Sequence, residues 1–411
     1  MVRPAGFPAM NAAQRSSFSA RQLAVGLAGY CTFINLYSPQ AILPLLSSEF
    51  GAGAAEIANI MTASTLAVAL TAPFTGTVAD VLGRKRVIVT AMLLLGIPTV
   101  MCAFAPTLHE LIFWRFVQGL VMPPVFAVTI AYIGDEWPAR EATAAAGIYT
   151  SGASLGGFSG RFVTGTLSDL IGWRYALVTI AVMTFAGALA VWALLPRETK
   201  FVRSEGLIAS GRHMLSHLRN PQLLATYAVG FGVLFSFVAV FTYINFRLAA
   251  PPYNLSPTWL GAIFVTYMVG SGLTPLAGWA VGRFGRRRFM IPVILCWIAG
   301  AAMTLAGPLW LIVLGLTVSA SCGLICQAIS TGYVTITAKA GRSSAVGLYV
   351  TCFYTGGSFG AAIGGVAWII GGWPACVAAV VAVQVIMAGV VYFAWARRVP
   401  AAPVTTPIEP P

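Results

Sequence analysis

Apolar segments of about 20 residues recur along this chain from Ala20 to Ala396, separated by short polar or basic connections. A helix of that length crosses the ~30 Å hydrocarbon core of a bilayer, and only a helix or a closed barrel satisfies its own backbone polar groups there. Glycine, alanine and leucine dominate the segments, and many exceed strand length, so helices are expected. Composition agrees: with 58% hydrophobic and 9% charged residues, a water-soluble chain would have to expose large apolar surface. Spans are expected near 21–46, 55–78, 87–106, 108–133, 143–169, 173–195, 222–247, 257–281, 289–306, 308–337, 344–370 and 374–396. The expected fold class is all-α, a polytopic membrane protein of about twelve transmembrane helices.

The net charge of +13 follows the membrane rather than a nucleic-acid footprint, so no nucleic-acid partner is expected. Basic residues gather on alternate connections: three in the N-terminal stretch, Arg84 to Arg86, Arg140, five between Arg197 and Arg219, Arg283 with Arg286 to Arg288, Lys339 with Arg342, and Arg397 with Arg398. These make 20 of the 24 lysines and arginines. Cytoplasmic loops hold the basic excess, so both termini and the 197–221 connector are expected in the cytoplasm of a cell that places this chain in its inner membrane. The first twenty residues carry Arg3 and Arg15 without the apolar core of a cleavable signal, so the first span is expected to be retained. Trp173, Trp259, Trp310 and Trp373 fall at expected outer boundaries, where indoles sit at headgroup level. The seven cysteines lie in or beside spans, which predicts no disulfide framework, and Cys322 and Cys326 lack the His or carboxylate of a metal set. His213 and His217 share a helix face, as a metal pair or as part of a solvated linker; the linker is the reading adopted, and neither metal nor cofactor is expected.

The chain also repeats itself. At an offset of 200, Gly147, Tyr149, Gly156, Gly157, Gly160, Gly165, Gly172 and Trp173 meet the same residue types at 347, 349, 356, 357, 360, 365, 372 and 373. At an offset of 202, Pro73, Gly76, Gly83, Arg84 and Arg86 meet Pro275, Gly278, Gly285, Arg286 and Arg288. The offset spans six helices, an even number, so both halves enter the membrane alike. The expected organisation is a tail over 1–20, a six-helix bundle over 21–196, a connector over 197–221, a second bundle over 222–396 and a tail over 397–411.

The stretch from Gly76 through Asp80, Gly83, Arg84 and Arg86, with its second copy, resembles the signature loop of the major facilitator superfamily. The resemblance covers residues 20 to 396. In the spans 4 and 5 it looks most like the drug:proton antiporter branch, and within that branch like bacterial inner-membrane proteins labelled sugar or drug exporters. It implies that Asp80 and the residues around it latch the two halves in one end state; in the second copy Gly282 stands at the matching position, which makes the latch asymmetric. The branch usually carries a proline after the first glycine of the span 5 motif, where this chain has Ala153.

Arg115 and Gln118 share a face of span 4, and a guanidinium inside hydrocarbon costs several kcal/mol unless partnered, so both are candidates for substrate or coupling work. Arg161 is a second intramembrane cation at similar depth. Asn35, Tyr149 and Tyr354 are the further polar candidates for a cavity between the halves. Gly152, Gly156, Gly157 and Gly160 form a small-residue seam that serves either as plain packing or as a hinge. None of the eleven acids lies near the middle of a span; Glu56, Glu110 and Asp169, near outer ends, are the substitutes for a central proton carrier. The leading expectation is a monomeric secondary transporter, not an enzyme, that exports a small organic molecule by alternating access coupled to protons. The alternatives are uptake or facilitated transport of an organic anion without a central proton-binding carboxylate and, from another class, a membrane enzyme acting on lipid-linked substrates, for which the clustered acids or histidines are lacking.

Overall fold

The structure, a computed structural model, describes residues 12–199, 214–338 and 341–395, with backbone alone for 12–18, 76, 77, 80, 139, 140 and 343. The tails and most of the connector expected from the sequence, with His213, lie outside the described residues. Helices follow one another without a strand among the described residues. We label the membrane-length rods α1 (Ala12–Tyr37), α2 (Ala54–Phe74), α3 (Arg84–Phe104), α4 (Leu108–Glu136), α5 (Ala139–Ile171), α6 (Trp173–Leu194), α7 (Pro221–Ala249), α8 (Pro257–Phe284), α9 (Arg286–Met303) and α10 (Leu309–Thr337). The last helical run, Arg342–Ala394, breaks at Gly371 and Gly372, which leave helical φ/ψ, into α11 (342–370) and α12 (373–394). Twelve rods result among the described residues, one for each expected span. Eight helical stretches pass a strict test of length and hydropathy for crossing a bilayer, the α11–α12 run counting as one. The others carry terminal arginines or, in α5, many small and polar residues.

The rods expose residues that only lipid accommodates. Ile370 is 77% and Phe393 84% exposed, while Trp297 and Phe241 are fully buried between helices. Trp259 and Trp310 stand exposed as the sequence predicts. Trp173 and Trp373 differ: both are buried, Trp173 edge-on to Phe50 and Trp373 donating its indole N–H to the Thr304 carbonyl at 3.1 Å. Gly172 (φ +90°) and Gly372 (φ +61°) turn the chain back so sharply that the following indole points inward.

Glycines determine how the rods touch. An added Cβ would lie 2.2 Å from the Gly26 carbonyl oxygen at Gly152, 2.3 Å from that of Tyr30 at Gly156 and 2.5 Å from that of Ile34 at Gly160, so this seam presses α5 against the α1 backbone. Gly356 and Gly360 press α11 against α7 through the carbonyls of Phe231 and Phe235 in the same way. Gly157 faces the Arg161 side chain and Tyr37 instead.

One further pair joins the first six rods to the last six. A Cβ at Gly165 of α5 would sit 2.2 Å from the Pro257 carbonyl at the start of α8, and one at Gly365 of α11 would sit 2.9 Å from Ala55 at the start of α2. The repeat thus extends to the interface between its copies. Gly165→Val is expected to hold α5 and α8 apart. In a background without the native cysteines, the distance between spin labels at Leu170 and Asn254 should lengthen by roughly 2–3 Å, the depth of the added side chain. An unchanged distance would show that backbone approach does not close this end.

Candidate functional site

The site begins at a break in α1. Pro39 has no N–H, so the Asn35 carbonyl four residues earlier loses its helical partner, and the chain passes into a 3-10 turn over Ser38–Ile42. Arg115 of α4 enters this gap. Its Nη1 donates to the Asn35 carbonyl at 2.9 Å and to Gln118 Oε1. Its Nη2 donates to the Leu36 carbonyl at 2.7 Å and to Ser64 Oγ at 3.0 Å, and its Nε to the Ile60 carbonyl at 3.5 Å. A guanidinium has five N–H donors, and here each has an acceptor.

Gln118 extends the network. Its Nε2 donates to Asn35 Oδ1 at 3.1 Å and to Thr99 Oγ1 at 2.7 Å, while Asn35 Nδ2 donates to the Cys31 carbonyl and to Thr184 Oγ1, both at 2.7 Å. Side chains from α1, α2, α3, α4 and α6 therefore meet in one buried polar cluster inside the first six rods. Of the six candidate residues named from sequence, this cluster gathers Arg115, Gln118 and Asn35.

Arg161, Tyr149 and Tyr354 lie elsewhere, where the two sets of rods meet. Arg161 of α5 is buried; its Nε donates to Gln40 Oε1 and its Nη1 to the Gly157 carbonyl, both at 2.8 Å. Its guanidinium carbon lies 4.0 Å from the ring centre of Tyr37, 4.2 Å from that of Phe264 and 5.0 Å from that of Tyr267, the last two belonging to α8. Tyr354 of α11 stacks on Phe126 of α4 with centroids 5.9 Å apart, and lies within electrostatic reach of Tyr37 and Tyr149. Sequence reasoning passed over Tyr37, Phe264 and Tyr267, because aromatic residues are common throughout the spans and nothing in their spacing marks these three.

The hydrogen bonds that cross between the sets run, among the described residues, from the middle of the rods to the end away from Arg84. Thr65 and Ser358 hydroxyls lie 2.9 Å apart, and Ser271 donates to Ser154 at 3.1 Å. Nearer that end, Gln40 Nε2 donates to Thr242 Oγ1 at 3.2 Å and Asn245 Nδ2 to the Gln40 carbonyl at 3.0 Å. At the end itself, Asp169 Oδ2 accepts from Ser256 Oγ (2.8 Å), Thr258 N (2.9 Å) and Thr258 Oγ1 (2.5 Å).

At the opposite end the signature loop turns at Gly83 (φ +89°), mirrored by Gly285 (φ +81°) in the second copy. Arg84 pairs with Asp135 at 2.5 Å, and the Lys85 N–H donates to Glu198 Oε2 at 3.2 Å, so the loop is tied to the end of α4 and to the start of the connector. Arg86 is exposed. Asp80 sits on the short helix Thr75–Leu82, which also carries Gly76; their side-chain surroundings lie outside what is described.

Removing the Arg115 side chain would take the guanidinium from the Leu36 carbonyl and leave the Asn35 carbonyl with the Ser38 hydroxyl alone, at 3.2 Å, and a buried polar group left unpaired costs about 1–3 kcal/mol. Arg115→Ala is therefore expected to lower the midpoint of thermal unfolding in detergent by several degrees, and Thr99→Val by less. An Arg115→Ala protein that melts with the parent would show that water replaces the guanidinium at no cost.

The chain's likeness to known proteins matches this architecture. The family model described as Major Facilitator Superfamily matches residues 25–251 and again 242–410. The inner membrane transport protein YnfM of Escherichia coli (strain K12) is 34% identical over 355 residues, which are 85% of this chain and 84% of that protein. The nucleoside transporter NupG superposes with a TM-score of 0.76 at 16% identity, over 90% of this chain and 98% of its own. A bacterial homolog of the human lysosomal transporter Spinster, in an inward-facing and occupied conformation, superposes with a TM-score of 0.73 at 16% identity, over 92% and 96% of the two chains. At such identity the two structures speak to the fold alone. The chain belongs to the major facilitator superfamily, the multi-pass membrane transporters of small molecules.

Proposed function

We propose that this protein exports a small organic molecule by alternating access, with the two six-helix sets rocking about their interface and inward movement of protons driving the cycle. The observation that carries the reading is the run of cross-set hydrogen bonds which, among the described residues, extends from Thr65 and Ser154 at mid-depth to Asp169 at one end. Such bonds must break for the sets to part on that side. On this reading the basic end, with Arg84 and Arg286 to Arg288, faces the cytoplasm, and the Asp169 end faces outward.

Asp169 is the acid that supports proton coupling best. One of its oxygens takes three hydrogen bonds from the start of α8, and a carboxylate accepts such bonds more strongly than the protonated acid does. Proton binding from outside therefore weakens the closed contact and favours opening on that side. The same end carries the Arg174 and Glu49 pair at 3.8 Å, joined within the first set of rods, so this pair does not bridge the interface. Glu56 and Glu110 are exposed at that end. Inside the first set, Arg115, Gln118 and Asn35 act on transport through the shape of α1, while Arg161, Tyr149 and Tyr354 face the path between the sets. Asp80, Gly76, Gly83, Arg84 and Arg86 serve as the latch of the basic end.

Proteoliposomes with and without an imposed pH gradient give the test. Substrate flux is expected to rise several-fold when the Asp169 side is the more acidic. Asp169→Asn, which keeps an oxygen acceptor and removes the charge, is expected to lose that acceleration while retaining exchange at equal pH. Flux indifferent to the gradient in the parent protein would refute proton coupling, and an Asp169→Asn protein that keeps the full acceleration would move the proton site elsewhere.

A further inference from the structure

Away from the basic end, four arginines lie within the rods or at their outer ends, Arg115, Arg161, Arg174 and Arg247, and three of them end on backbone carbonyls. Arg115 has an acceptor for each donor, Arg174 reaches the carbonyls of Ala103 and Ala105 at the end of α3, and Arg247 reaches those of Thr304, Leu305 and Ala306 at the end of α9. Arg161 is different. Two of its five donors are used, by Gln40 and Gly157; one N–H of Nη1 and both of Nη2 have no protein acceptor among the described residues. No carboxylate pairs with it among those residues either, although it is buried.

Its environment is built for a cation that keeps its edge free. Rings from α1 (Tyr37) and α8 (Phe264, Tyr267) hold the guanidinium by its π-attracting charge, at 4.0 to 5.0 Å. Gln40 fixes its orientation and is itself held by Thr242 and Asn245 of α7. Rings stabilise a cation without consuming its N–H groups, so the fork of donors remains for a planar, doubly accepting group, which a carboxylate supplies and an alcohol or amide does not. The same rings offer flat apolar faces to whatever the carboxylate is attached to.

We infer that Arg161, boxed by Tyr37, Phe264 and Tyr267, is the substrate-anchoring group of this transporter and that it takes an aromatic carboxylate. The inference rests on the transport reading for its biological sense, but binding is measured without flux. With the Asp169 end closed, the free fork takes the anion arriving from the basic side while Tyr37, Phe264 and Tyr267 hold the guanidinium. When the sets part at the Asp169 end, Phe264 and Tyr267 leave with α8, the box around the anion opens and the anion is released outward. Substrate binding and closure of that end thus share one group.

The test uses the full-length protein in nanodiscs with benzoate as probe and benzyl alcohol as its uncharged counterpart, read by equilibrium binding of the radiolabelled compounds. Benzoate is expected to bind saturably and benzyl alcohol at least about tenfold more weakly. Arg161→Lys keeps the charge but not the fork, and is expected to lose about tenfold or more in benzoate affinity, with Arg161→Ala losing at least as much. Should these variants fail to fold, the parent protein still decides: benzoate should slow phenylglyoxal modification of Arg161, followed by peptide mass spectrometry, and benzyl alcohol should not. No saturable benzoate binding, equal binding of the alcohol, full affinity in Arg161→Lys or an unprotected Arg161 would each overturn the inference. Benzoate binding without flux of any compound would instead count against the transport reading and leave the site standing.

Discussion

The filling of the Asn35 carbonyl by Arg115 is the contact from which the rest of the interface is built. Pro39 leaves that carbonyl without a helical partner, and in a bilayer no water stands ready to replace it. A guanidinium in the same interior is costly unless its donors are met. Each defect answers the other, and together they let α1 stop at Tyr37 and continue as a 3-10 turn. The turn delivers Tyr37 and Gln40 to the face of Arg161, and delivers Gln40 to Thr242 and Asn245 on the other set of rods. An arginine wholly inside one bundle thereby governs the position of an arginine between the two.

The two arginines also show what could be read from sequence and what could not. Their depth in the membrane was legible, because distance along a helix is depth. Their difference was not, because it depends on which neighbour each helix face meets, and α4 and α5 carry small and apolar residues on several faces. Pro39 was legible as a residue yet silent as a cause, since its effect is exerted on a carbonyl one turn earlier. The repeat was the most informative pattern. Glycines at 156, 160 and 165 and the copies at 356 and 360 are positions where backbone meets backbone, with Gly365 against Ala55 and the Tyr243 hydroxyl, and there a side chain is opposed by distance rather than by chemistry. Trp173 and Trp373 misled, because an indole after a tight glycine turn looks alike whether the turn aims it outward to the headgroups or, as here, back into the bundle.

The repeat is faithful in its contacts and unequal in its charges. Gly165 against Pro257 and Gly365 against Ala55 are two versions of one junction, and they place α5 and α11 symmetrically about the path. At the offset that pairs these glycines, Arg161 meets Ala361, whose carbonyl instead accepts the Tyr243 hydroxyl at 2.6 Å. On the proposed path, the α5 side thus carries a charge at Arg161 that the α11 side lacks at Ala361. That is a suitable division for a passage that must recognise a molecule on one side and slide past it on the other.

The order in which the chain is synthesised gives the acceptors of Arg115 a further consequence. Asn35, Leu36, Ile60 and Ser64 are all made before Arg115 emerges, so the nascent α4 finds its carbonyls already in the membrane and can leave the translocation machinery at once. Arg161 also finds Tyr37 and Gln40 waiting, but Phe264 and Tyr267 do not yet exist when it arrives. The first six helices thus complete the Arg115 cluster from their own residues, whereas Arg161, like Thr65, Ser154 and Asp169, meets part of its partners only when the second six are inserted. The chain order therefore makes the meeting of Arg161 with Phe264 and Tyr267 a late contact, formed only once α8 has been synthesised.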